Sequence, residues 1–168
     1  MPSVVADSSV LIHLAAIGRL SLLRDFYEKI WIPPAVWKEV VEEGYGRPGA
    51  REVEVAFYRG WIEVVAPANQ PLVELLKRDL DAGEAEVIAL GLEREDSLIL
   101  LDESEGRRAA ERYGLRKTGT IGILMRAKRE GKNSSLQAEL DALRRQMFRI
   151  DEQLYEQVLR VMGEGESG

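Results

Sequence analysis

Cysteine is absent from this chain of 168 residues, and histidine occurs once, at His13. Disulfides, thiolate metal centres and cysteine nucleophiles are thereby excluded. The single histidine argues against a histidine-rich zinc site or a Ser-His-Asp triad. No apolar run approaches the ~20 residues that span a bilayer, and the N-terminus lacks a basic segment followed by an apolar one. The expected protein is soluble and cytoplasmic, without a membrane partner. Its chemistry must rest on carboxylates, hydroxyls and Lys/Arg side chains.

What is present is ordinary globular material, with 45% hydrophobic and 31% charged residues. One domain is expected over residues 1–162, followed by a disordered, polar, glycine-rich tail over 163–168. The net charge of -6 is unevenly spread. Residues 107–149 hold twelve Lys/Arg against four acids, a local charge of +8 that leaves -14 for the rest. A basic half that holds a polyanion and an acidic half that supplies metal ligands would explain the split. Solvated helix faces with i,i+4 pairs would explain it equally.

Strand-like runs at 3–6, 30–32, 62–66, 98–101 and 115–118 alternate with helical stretches. The pattern predicts an α/β fold of three layers, a parallel central sheet of about five strands flanked by helices. Helices are expected at 9–16, 20–27, from Pro33-Pro34 to Gly44, at 48–58, from Asp81 to Leu92, at 106–113, from Gly119 to Glu130, at 136–147 and at 151–162. No repeat or linker interrupts them.

Two apolar, β-branched runs end on a carboxylate: Val4-Val5-Ala6-Asp7 and Ile99-Leu100-Leu101-Asp102. In open α/β sheets ligands bind beyond the carboxyl ends of the strands, so Asp7 and Asp102 are expected to face a common crevice. Glu39 and Glu84 are offered by helices between them. Each acid has a structural alternative. Asp7 suits a helix N-cap, Asp81 and Glu84 have capping-box spacing, and Glu39 suits a solvated flank. Taken together, the acids carry a cost: two carboxylates about 4 Å apart repel by roughly 1 kcal/mol in water and roughly 4 kcal/mol at an effective dielectric near 20. A convergent set calls for a divalent cation, and an all-oxygen set suits Mg²⁺ or Mn²⁺.

In order along the chain stand Val-Val-Ala-Asp-Ser-Ser, Lys38-Glu39-Val40, Leu80-Asp81-Ala82-Gly83-Glu84-Ala85-Glu86, Leu101-Asp102-Glu103-Ser104-Glu105-Gly106-Arg107-Arg108, and Thr118-Gly119-Thr120-Ile121-Gly122. This series resembles the PIN-domain nucleases, closest to the prokaryotic group similar to the toxins of VapBC-type toxin–antitoxin pairs. The resemblance implies an Mg²⁺- or Mn²⁺-dependent ribonuclease. By it, Asp7, Glu39, Glu84 and Asp102 or Glu103 are the catalytic acids, with Asp7, Glu84 and Asp102 or Glu103 as metal ligands. The apolar run points to Asp102, whereas counting back from Ala110 and Gly114 points to Glu103. A further acid expected near the Gly-Thr segment is absent.

Ser8, Thr118 and Thr120 are candidate substrate contacts through their hydroxyls, and Arg107, Arg108 and Arg112 through phosphate. The implied partners are RNA, a small antitoxin protein and a second copy in a homodimer, with Trp37, Phe57, Trp61 or Leu159 available for an interface. The alternative function is a PIN-like module that binds RNA or protein without cutting it.

Overall fold

The computed structural model describes residues 2–165. Two compact units are distinguished, Met1–Gly119 and Thr120–Gly168.

The first unit is built on five short strands: β1 (Val4–Ala6), β2 (Ile30–Ile32), β3 (Ile62–Val64), β4 (Leu98–Leu100) and β5 (Arg116–Thr118). They form one sheet in the order β3-β2-β1-β4-β5, every pair parallel. Val4, Val5 and Ala6 are all buried, as a central strand covered on both faces requires. The sheet edges carry charge instead, Glu63 on β3 and Arg116 and Lys117 on β5, which discourages pairing with another chain.

Helices α1 (Ser8–Ala16), α2 (Ser21–Tyr27), α3 (Pro34–Trp37) and α4 (Ala50–Tyr58) precede β3 in the chain. Helices α5 (Gln70–Leu76) and α6 (Ala82–Leu92) link β3 to β4, and α7 (Ser104–Arg112) links β4 to β5. Right-handed crossovers place α1 to α4 on one face and α5 to α7 on the other. The chain runs outward from β1 through β2 to β3, then returns across the sheet to β4 and β5. The strand order thus reverses between β1 and β4, where Asp7 N–H donates to Leu100 O at 2.8 Å.

The sequence predicted the strands closely, but the helices differ in two places. One α-helix was expected from Pro33-Pro34 to Gly44, whereas α3 continues as a π-helical turn over Lys38–Glu42 that contains Glu39. No helix was expected over 70–76, where Asn69 Oδ1 accepts from Leu72 N–H at 3.1 Å to start α5. The cap and Pro71 were the available signals. Leu72, Val73 and Leu76 of α5 pack with Leu80, Ile88 and Ala109 to fill the space between α5, α6 and α7.

In the second unit, α8 (Thr120–Arg129), α9 (Leu136–Arg145) and α10 (Glu152–Val161) follow one another, with α9 packed on both neighbours. Ser135 Oγ caps α9 by accepting from Ala138 N–H at 3.1 Å. Within the stretch expected to be a disordered tail, Glu164 accepts from Leu136 N–H at 2.8 Å and pairs with Lys128 at 2.9 Å. Residues 166–168 lie outside the described residues. Among the described residues no helix is long and apolar enough to cross a membrane. Of the four residues offered for a dimer interface, Trp37 and Phe57 meet at a tilt, 5.0 Å between ring centroids, Trp61 is half-buried and Leu159 is buried.

Glycine sets the fit of α6 on the sheet. A Cβ at Gly91 would lie 2.5 Å from Ile99 Cδ1, in the buried middle of β4. Gly91→Val is therefore expected to lower the urea midpoint by an amount equivalent to about 1–3 kcal/mol at constant m-value. An unchanged midpoint would show that this contact is looser than described.

Candidate active site

The reversal of strand order opens a cavity of about 420 Å³ lined by Asp7, Ser8, Glu39, Asp81, Glu84 and Glu103, with Ser9, Ile12, His13, Ser104 and Glu105 completing it. Six carboxylates face this space, and among the described residues no Lys or Arg lines it. Each acid is delivered by a different local device.

Asp7 follows β1 in extended backbone (φ -86°, ψ 163°) and stands at the N-cap position of α1, yet its side chain makes no capping hydrogen bond. Ser9 Oγ donates to Asp7 Oδ2 at 3.4 Å. The carboxyl is almost completely buried, and that desolvation, with the charges of Asp81, Glu84 and Glu39 added, pushes its pKa up to about 7.

Glu84 fulfils its expected capping role and also faces the cavity. Its N–H donates to Asp81 Oδ1 at 2.8 Å, and its Oε1 accepts from Asp81 N–H at 3.4 Å, which completes a capping box at the start of α6. Its Oε2 is buried with no hydrogen-bond partner. Burial, then the charge of Asp81, raises the Glu84 pKa to about 7. A purely structural glutamate would not leave an oxygen buried and unsatisfied.

Glu39, exposed on the π turn, accepts from Ser8 Oγ at 2.8 Å, so Ser8 orients an acid in addition to lining the cavity. The three chains of contact meet at Gly83. An ideal Cβ there would stand 3.3 Å from Asp7 Oδ1, 3.5 Å from Glu39 Oε2 and 3.6 Å from Asp81 Oδ1. At Gly106 a Cβ would lie 2.7 Å from Glu84 Oε2. Both glycines leave room for oxygen atoms.

The loop after β4 divides its two acids. Glu103, at the N-cap of α7 with no side-chain cap bond, lines the cavity. Asp102 does not line it. Its Oδ2 accepts from His13 Nδ1 at 2.8 Å, and its N–H donates to Ser9 Oγ at 3.4 Å. A carboxylate oxygen can only accept here, which places the proton on Nδ1. Arg107 also turns inward: its Nη1 donates to Leu101 O at 3.0 Å and lies over Gly119, where a Cβ would meet both Nη1 (3.0 Å) and Asp102 Oδ1 (2.6 Å). The Thr-Gly-Thr segment thus needs its glycine for the packing of Asp102 and Arg107.

Of the remaining candidates, Thr118 is half-buried at the end of β5, its carbonyl accepting from Leu101 N–H at 3.0 Å. Thr120 is buried at the start of α8, in the second unit. Arg108 and Arg112 are exposed on α7 and do not line the acidic cavity. Several cations of the basic segment are occupied locally, Lys117 with Glu111, Arg126 with Glu130, Lys128 with Glu164 and Arg144 with Glu152. Sequence reasoning missed His13, Asp81 and Glu105 as members of the site. Asp81 was legible only as the partner of Glu84 in a capping-box spacing.

A family model for the PIN domain matches residues 3–164, nearly the whole chain. The chain belongs to the PIN-domain family. No curated protein sequence matches it. PIN domains are generally nucleases and generally use divalent metals, and the donor set of this one suits a hard cation, since every acid offers oxygen. Among the described residues no three acids or histidines already form a closed cage. The donors present suit a hard divalent cation held by one or two carboxylates and several waters. The unsatisfied Glu84 Oε2 and the oxygens gathered at Gly83 supply such donors.

The raised pKa values fix a pH dependence for the metal-free protein. Folded Asp7 and Glu84 hold protons up to about 7, whereas the unfolded chain releases them near 3.8 and 4.5. Between those limits the folded state binds more protons, so stability is greatest at the acid end and falls as pH rises toward 7. In chelator, the melting temperature should decline across this window, and Asp7→Asn should flatten the decline and melt higher at pH 7. A melting temperature that rises from pH 5 to pH 7 in wild type and variant alike would contradict the assigned shifts.

Proposed function

We propose that this PIN domain is a metal-dependent endoribonuclease that hydrolyses RNA phosphodiester bonds at the acidic cavity. The observation that carries this reading is the convergence of Asp7, Glu39, Asp81, Glu84 and Glu103 at the point where the strand order reverses. Asp7, Glu84 and Glu103 would hold Mg²⁺ or Mn²⁺. When bound, the ion supplies positive charge against the phosphodiester oxygens and lowers the pKa of the attacking water.

The chain's own groups supply the remainder. Glu39, oriented by Ser8, faces the same space as Asp7 and is the acid free to accept a proton from water. Asp102 acts through His13, whose ring it holds by hydrogen bond at the cavity wall. Asp81 holds the first turn of α6, and with it Glu84, by the capping box. The biological setting we favour is that of a cytoplasmic toxin, paired as a homodimer and masked by a small antitoxin, on the strength of the motif order and the acidic site.

The contrasting reading is a PIN-like module that binds RNA or protein without cleavage, favoured by the absence of a preformed three-ligand cage among the described residues. Cleavage of a labelled single-stranded RNA in Mn²⁺ separates the two. Asp7→Asn and Glu103→Gln should each reduce the rate by more than about 100-fold with the fold retained, and Asp102→Asn by roughly 10–100-fold, the range typical of residues that act through a neighbour. Wild-type protein that leaves RNA intact in both Mg²⁺ and Mn²⁺ would establish the binding module instead.

A further inference from the structure

A second cavity, of about 670 Å³, adjoins the acidic one, and the two share Glu105. Its walls come from the turn after α5 and from α7. Glu105, Arg108, Ala109 and Arg112 follow one another at i, i+3, i+4 and i+7, the spacing of a single helix face. Arg78 stands on the opposite wall, and Tyr113 closes the end farthest along α7 from Glu105. Leu76, Leu80 and Ala109 give the groove an apolar floor. The acids facing it are Asp79 and Glu105.

Among the described residues, none of the guanidiniums of Arg78, Arg108 and Arg112 is held in an ion pair, in contrast to Lys117 and Arg126 nearby in sequence. Three uncommitted guanidiniums above an apolar floor, with an exposed tyrosine ring at one end, match the chemistry of a nucleotide: phosphate for the arginines, base or ribose for the ring and floor. Resting on the ribonuclease reading, we infer that this groove binds single-stranded RNA next to the cleaved bond, so that the strand passes from the acidic cavity over Glu105 and along α7. Arg78 and Tyr113 join Arg108 and Arg112 as RNA contacts, and Arg107, turned onto Leu101 O, does not.

Binding can be read apart from cleavage. A fluorescent single-stranded oligoribonucleotide of roughly 10 nucleotides, within the span of known single-strand sites, is titrated with the full chain in EDTA at several salt concentrations. Arg78→Gln combined with Arg108→Gln should reduce the slope of log K against log salt by about 0.7 for each guanidinium removed. Tyr113→Leu should weaken binding about 5-fold or more, and Tyr113→Phe, which keeps the ring, should not. Arg59→Gln removes one guanidinium from a different cavity and should leave the slope unchanged.

A slope in the double variant equal to that of Arg59→Gln would overturn the groove, as would equal affinities for Tyr113→Leu and wild type. Equal affinity for a duplex of the same sequence would overturn it too, because paired bases cannot stack on Tyr113. Wild-type protein that binds in EDTA with the expected slope and Tyr113 effects yet fails to cleave in Mn²⁺ refutes the nuclease reading and upholds the groove as an RNA site.

Discussion

Repulsion among carboxylates at the carboxyl ends of β1 and β4 is the constraint on which the rest of this protein depends. Among the described residues six acids and no Lys or Arg line one cavity of about 420 Å³. At the effective dielectric of a protein surface each close pair costs several kcal/mol. The fold answers with protons: Asp7 and Glu84 both hold theirs to about pH 7. On the proposed reading such a site exchanges protons for a divalent cation, because the same burial that disfavours the carboxylates strengthens any positive charge placed among them.

The scaffold makes this crowding possible through order and space. The order is the sheet sequence β3-β2-β1-β4-β5, which brings the end of the first strand beside the end of the fourth, although Asp7 and Glu103 are far apart in the chain. The space comes from Gly83, Gly106 and Gly119, where a methyl group would press on Asp7, Glu84 and Asp102 respectively. Burial of apolar surface holds the frame, with Ile99 under Gly91 and the Leu76–Leu80–Ile88–Ala109 cluster beneath α7. Favourable packing throughout the core thus sustains an unfavourable arrangement at one edge.

Much of this was legible from residue order. The apolar runs located all five strand ends within two residues, two of them through a run that stops on Asp, and the Gly-Glu spacing after Asp81 marked the start of α6. Of the acids expected to converge, Asp7, Glu39, Glu84 and Glu103 do, joined by Glu105 and by Asp81, whose spacing had a sufficient explanation in helix capping. What could not be read was orientation. Asp102 and Glu103 are adjacent, and which one enters the cavity depends on His13, placed by α1 from a distant part of the chain. Arg107 and Arg108 are likewise adjacent on α7 but differ by one helical step, enough to turn one onto Leu101 O and the other to solvent. The π turn at Lys38–Glu42 leaves no trace in the apolar pattern, because Val36, Val40 and Val41 remain buried through it.

The central claim is that the acidic cavity trades protons for a divalent cation. Titration calorimetry of Mn²⁺ into the metal-free protein at pH 6.5, repeated in buffers of different ionisation enthalpy, measures that exchange directly. Saturable binding should be accompanied by net proton release, with the release lost in Asp7→Asn. Binding that releases no protons, or the absence of any saturable heat, would contradict it.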